Sequence, residues 1–190
     1  MERLDGPDQL TVLGRKPWTM WSAAKKLGRL HAQLHSTPVP EGLRSLKESL
    51  RQEIGSSDRI PRKYKELTLA QLECLPDGAC ICHWDFHPGN VIETTKGPKI
   101  IDWTTVARGD AEADVARTQL IIRSGTLPPG APLPVRTLTA IGRRVLIWGY
   151  TREEAWELAN TASRLTHGIP QERGRLLELL GQKGRKATQS

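Results

Sequence analysis

Residues 79–103, ACICHWDFHPGNVIETTKGPKIIDW, constrain the fold of this chain more than any other stretch. Here short apolar runs meet turn-forming residues: "ACIC", then "NVIE" and "PKIIDW" on either side of "TTKG". No other part of the chain offers a convincing strand pair. The remainder carries helical spacing, so the sequence predicts an α+β fold that is mostly helical around one small β-hairpin. Residues 20–36 place Ala23, Leu27, Leu30 and Leu34 on one helical face, and Pro38 and Pro40 end the element. A second short helix is expected over 42–54. A third runs from 62 to 75, with Pro61 near its first turn and Pro76-Asp77-Gly78 as the stop. A helix should begin at Asp110, an N-cap followed by Glu112 and Asp114 in the first turn. Beyond the Gly/Pro-rich loop at 124–134, helices are expected over 135–150, 151–166 and 171–181. The second opens on Thr151 and Glu154 in capping-box spacing. Residues 1–17, broken by Gly6-Pro7 and Pro17, read as extended. Residues 183–190 read as a basic flexible tail.

The polar residues of the hairpin region fall in a definite order: His83-x-Asp85-x-x-x-x-Asn90, then Asp102. A strand leaves after Asn90, turns at "TTKG" and returns through residues 99–101. That path brings Asp102 back to the end where Asn90 sits, so three oxygen-bearing side chains converge. A carboxylate near an acceptor hydroxyl orients it and takes its proton. An asparagine and a second carboxylate are hard oxygen ligands suited to magnesium. Asp85 is the candidate base, and Asn90 and Asp102 are the candidate metal ligands. The competing reading is a polar hairpin rich in turn formers.

This order resembles the aminoglycoside phosphotransferase and choline kinase superfamily, relatives of the protein kinases. The family pattern His-Gly-Asp-x-His-x-x-Asn stands here as "HWDFHPGN" at 83–90, and its Ile-Asp-Trp as "IIDW" at 100–103. The family's Gly-Asp with an aspartate four residues on appears as "RGDAEAD", carrying Asp110 and Asp114. Its Leu-x-x-Leu-His helix end resembles "LHAQLHS". The resemblance implies a protein-kinase-like C-terminal lobe spanning residues 18–182. It further implies ATP-dependent phosphorylation of a small-molecule hydroxyl, with Mg2+ as cofactor and ATP as substrate. By the same resemblance His83 and His87 support the catalytic loop, Asp110 and Asp114 brace the loop and the following helix, and Trp103 packs beneath the loop. One departure is visible. Trp84 stands where the family has glycine, and tryptophan tolerates unusual backbone angles poorly.

The resemblance also implies what is missing. The family's N-terminal lobe supplies a five-stranded sheet, a phosphate-covering loop and a lysine for the nucleotide phosphates. No glycine-rich loop between strands and no strand lysine occurs near the start of this sequence. Residues 1–17 instead resemble the interlobe hinge, with Glu2 and Leu4 as candidate adenine contacts. The chain therefore reads as a C-terminal lobe without its N-terminal lobe. A shortened gene model, a true truncation and an isolated domain all fit, and a separate chain completing the lobe is a candidate partner. Two functions stay open: a phosphotransferase, inactive alone, and a non-catalytic scaffold or nucleotide- or partner-binding module.

Composition narrows the partners. The formal charge of +7 arises from 28 lysines and arginines against 21 acids. That balance suits a phosphate-bearing substrate, while a cationic aminoglycoside acceptor would want an acidic pocket. With no recognition helix and no interleaved aromatics, nucleic acid is not the expected partner. No stretch reaches membrane-span length, and the N-terminus carries no secretory pattern. Cys74, Cys80 and Cys82 form neither a disulfide framework nor a zinc set, which fits reduced thiols in the cytoplasm. His31 and His35 share a helix face, but lack the His-Glu-x-x-His form of a metal site. Packing, or a bond to the catalytic-loop backbone, is their expected role.

Overall fold

The computed structural model describes residues 4–125, 133–148, 157–166 and 170–187. The fold is mostly helical, with two small antiparallel sheets of two strands each. Helix α1 spans Gln9–Arg15, α2 Met20–His35, α3 Leu46–Ser56, α4 Arg62–Cys74 and α5 Ala111–Ser124. Helices α6 (Leu133–Trp148), α7 (Glu157–Thr166) and α8 (Pro170–Ala187) follow. The strands are β1 Cys80–Cys82, β2 Val91–Thr94, β3 Gly97–Ile100 and β4 Ala107–Gly109.

Local chemistry explains most boundaries. Ser45 caps α3 by accepting the Glu48 N–H at 3.2 Å, and α4 starts directly after Pro61. Asp110 caps α5, accepting the N–H groups of Glu112 at 2.8 Å and Ala113 at 3.4 Å. The expected hairpin is present: Val91 pairs with Ile100 and Thr94 with Gly97. Gly97 takes φ 103°, an angle at which a side chain would be strained.

Three expectations need correction. The sequence suggested one strand pair, but β1 finds its own partner in β4, with Cys80 opposite Gly109 and Cys82 opposite Ala107. "ARG" is too short to show a strand pattern, and its pairing depends on close approach. A Cβ at Gly109 would lie 2.7 Å from the Leu46 Cβ. The opening segment is not extended throughout. Pro7 and Asp8 lie along β2, where the Glu93 N–H donates to the Pro7 carbonyl at 2.9 Å. Asp8 then caps α1, accepting from the Thr11 N–H at 2.8 Å. Finally, α8 continues to Ala187, into the stretch read as a flexible tail. Thr151 and Glu154, the expected capping box, lie outside the described residues.

Two apolar clusters hold these elements. The larger gathers Leu46, Leu50 and Ile54 of α3 with Leu72 of α4, Trp84, Leu120 of α5, Leu165 of α7 and Leu176 and Leu180 of α8. The smaller joins Ala24 and Leu27 of α2 to Phe86, Val91 and Ile122. Each fully buried leucine or isoleucine stabilises by about 1.5–3 kcal/mol. Helix α5 lies between the clusters and is buried on nearly every side. Its N-terminal half fixes the loop that follows β1.

Candidate active site

Residues 83–90 leave β1 and are held by one buried carboxylate. Asp114 accepts the His83 N–H through Oδ2 and the Trp84 N–H through Oδ1, both at 2.8 Å. Its Oδ2 also meets the Nε2 atoms of His31 at 2.9 Å and His35 at 3.2 Å. Burial alone would raise the Asp114 carboxyl, but hydrogen bonds from His31 and His35 outweigh it and hold it below the ordinary carboxylate value. Burial pushes His31 the other way, below the ordinary imidazole value, against the pull of Asp114. A neutral His31 donating Nε2–H to the carboxylate satisfies both directions. His31 and His35 thus reach the loop through Asp114. One ligand atom from each of these three side chains lies within 4.8 Å of the others, so they are a group that could hold a metal ion. Here the Asp114 oxygens are occupied by backbone and imidazole donors, which makes the cluster a hydrogen-bonded brace.

Within the loop each polar side chain has a defined task. The His83 ring lies between Ile101 and Asp85: Nε2 donates to the Ile101 carbonyl at 2.9 Å, and Nδ1 accepts the Asp85 N–H at 3.3 Å. His87 Nδ1 accepts the Gly89 N–H at 3.0 Å, and its Nε2 lies 3.7 Å from Asp85 Oδ2. Asn90 Nδ2 donates to the Asp85 carbonyl at 2.9 Å and to its Oδ2 at 3.1 Å. The Ile101 N–H donates to the Asn90 carbonyl at 3.0 Å, which returns the end of β3 to the loop. Burial tends to raise the Asp85 carboxyl, but His87, Arg117 and Asn90 together hold it below the ordinary value. Asp85 is therefore ionised at neutral pH.

Asp102 follows at φ 60° and ψ 68°, is solvent-exposed, and accepts the Thr104 hydroxyl at 2.7 Å. Trp103 is 41 % exposed, so it does not lie under the loop. Its ring stands 4.8 Å from that of His83, and its Nε1 donates to the Ile100 carbonyl. The Asp110 carboxylate is spent on the start of α5, and only its carbonyl faces β1, accepting from the Cys82 thiol at 3.3 Å. Leu4 is a half-buried loop residue, and Glu2 lies outside the described residues.

Sequence reading missed Arg117. It lies on α5 one turn beyond Asp114, is 1 % exposed, and its guanidinium stands 5.1 Å from the centre of the Trp84 ring. Burial lowers it to about 10, so it stays charged at neutral pH. The one signal available was its spacing, three residues after Asp114 on the same helix.

The family pattern of the phosphotransferase enzyme family, APH, matches residues 12–156. The chain belongs to this family. No curated protein matches it. Among solved structures, an amicoumacin kinase in complex with AMP-PNP, Ca2+ and Ami is similar at TM-score 0.56 and 13% identity, covering 97% of this chain and 64% of that one. A glucosamine kinase is similar at TM-score 0.51 and 18% identity, covering 93% of this chain and 56% of that one. At such identities the likeness is one of fold. The chain spans less than two thirds of the length of either kinase, and among the described residues no sheet exceeds two strands.

Trp84 has an unusual backbone. Its φ is 68°, an angle at which glycine is at ease and tryptophan is not. Among the described residues only Trp84 and Asp102 combine a side chain with positive φ. Both sit at the candidate site, and such strain costs about 1–3 kcal/mol per residue. The surroundings fix Trp84 by burying it against Arg117 and by binding its N–H to Asp114.

Proposed function

We propose that this chain carries the catalytic-loop side of a phosphotransferase that moves the terminal phosphoryl group of ATP to a hydroxyl on a small molecule. One observation carries the reading: the ionised Asp85 is tied to Asn90, and the strand end bearing Asp102 is hydrogen-bonded back to Asn90. Asp85 orients the acceptor hydroxyl and receives its proton. His87 and Asn90 hold that carboxylate in place, and His83 ties the loop to the strand end. Both bonds from Asn90 Nδ2 go to Asp85, leaving Oδ1 as an acceptor. With the exposed carboxylate of Asp102, the site offers two hard oxygen donors that fit magnesium. Asn90 and Asp102 would hold it, and the metal supplies neutralisation of phosphate charge. Glu2 and Leu4 are proposed to lie at the adenine edge. A separate polypeptide segment is proposed to complete the phosphate cradle, because positioning dominates this chemistry.

A second reading rests on the two-stranded limit of the described sheets: a nucleotide- or partner-binding module without transfer. Titration with ATP, with and without Mg2+, tests the shared part. Magnesium-dependent binding that Asp102→Asn weakens about tenfold or more is expected. Binding indifferent to both magnesium and Asp102 would remove the loop assignment. ADP release with hydroxyl acceptors then separates the readings. Transfer that Asp85→Ala abolishes supports the enzyme, and transfer that survives the substitution excludes Asp85 as the base.

A further inference from the structure

The C-terminal helices carry a charge pattern that the catalytic loop does not use. From residue 115 to residue 152 the sequence contains Arg117, Arg123, Arg136, Arg143, Arg144 and Arg152, and no aspartate or glutamate. The fold gathers Arg123, Arg143 and Arg144 with Arg175 around a cavity of about 540 Å3, whose other described lining residues are Ala140 and Ile147. Arg123 comes from the last turn of α5, Arg143 and Arg144 from α6, and Arg175 from the start of α8. Three separate helices therefore contribute arginines to the lining of one space, and no acid lines it among the described residues.

Two described acids of α8 have partners outside the cavity lining. On α8, Glu172 holds Arg164 at 2.8 Å and Glu178 accepts from Gln182 at 3.3 Å. On α5, the acids lie at the opposite end of the helix. Backbone carbonyls and an amide are among the partners of these guanidinium groups. Arg175 donates to the Arg123 carbonyl at 2.8 Å, Arg123 to Gln119 Oε1 at 3.2 Å, and Arg143 to the Gly125 carbonyl. Neutral acceptors orient a guanidinium without cancelling its charge. Burial and the nearby charge of Arg175 both pull Arg143 below the ordinary arginine value, as expected where like charges meet.

We propose that this cavity binds a small molecule bearing two or more phosphoryl negative charges. Planar guanidinium forks match phosphate oxygens in bidentate pairs, and the cavity falls in the size range of small-ligand sites. The site is distinct from the loop: Arg123 lies nine residues beyond Asp114, about 14 Å along α5. The two are nevertheless linked through packing, because Ile147 also packs against the cluster containing Phe86 of the catalytic loop. The proposal does not depend on the phosphotransferase reading.

Calorimetric titration of the full chain with inorganic pyrophosphate, in magnesium-free buffer at constant ionic strength, tests it. Saturable one-site binding is expected, weakened about tenfold or more by Arg143→Gln combined with Arg144→Gln. Arg144→Gln alone, at an exposed position, should keep the fold and still lower the affinity. Asp102→Asn should leave pyrophosphate binding unchanged. Absence of saturable binding, or equal affinity in the Arg144→Gln variant, would overturn the proposal. Unchanged affinity in the Arg143→Gln and Arg144→Gln double variant would also overturn it, by placing the pyrophosphate elsewhere.

Discussion

Trp84 meets two opposed demands. Its backbone occupies the left-handed region, while its indole is 5 % exposed and packed beside Arg117. Replacing it with glycine removes a strain of about 1–3 kcal/mol but deletes a buried aromatic worth about 3–5 kcal/mol. Trp84→Gly should therefore lower stability by about 2 kcal/mol in urea unfolding. A gain in stability would mean that the strain outweighs the packing. Asp102 differs, since aspartate tolerates left-handed angles better than tryptophan and its side chain is exposed. Strain at Asp102 orients a carboxylate, whereas strain at Trp84 is offset by the core.

At the scale of elements, α5 does most to position the site. Its first turn supplies Asp114 to the loop, and Asp110 fixes where that turn begins. Asp110→Ala should cost about 1 kcal/mol in a denaturation midpoint, with the unfolding slope unchanged. A cost of several kcal/mol would reveal a role beyond capping. The cap and the first-turn acids were legible in the sequence, because capping is a contact within three residues. The β2–β3 hairpin was legible for the same reason. Strand β4 was not, because its three residues pair with β1 across an intervening loop and hairpin, and no short-range pattern encodes that partner.

Over the whole molecule, the Asp114 node joins α2, the loop after β1 and α5, and it couples stability to pH. His31 takes up a proton less readily in the fold than its ordinary value of 6.5 implies. Its contribution is therefore complete above that pH and declines as acid protonates the unfolded chain. Asp114 is also depressed, from an ordinary 3.8, so its contribution persists above that value and is lost as the pH falls further. Both effects have the same sign. Thermal unfolding should show stability falling as the pH drops below about 6.5, with a steeper fall below about 4. Asp114→Asn should be destabilised at neutral pH by about 3–5 kcal/mol and lose the steeper segment. Stability that stays flat from pH 7 to 5 would exclude a neutral buried His31. No helix among the described residues is long and apolar enough to cross a membrane.

The helical texture, the hairpin and the order of Asp85, Asn90 and Asp102 can be read from the residues alone, because each rests on spacing within one local segment. The residues also carry the departure at Trp84, although not the backbone angle that gives the departure its cost. Three features come from packing instead: Asp114 receives two histidines from 83 and 79 residues away, Arg117 stands beside Trp84, and four arginines from three helices line one cavity. Those contacts arise when helices pack, and packing brings together side chains whose separation along the chain leaves no periodic trace.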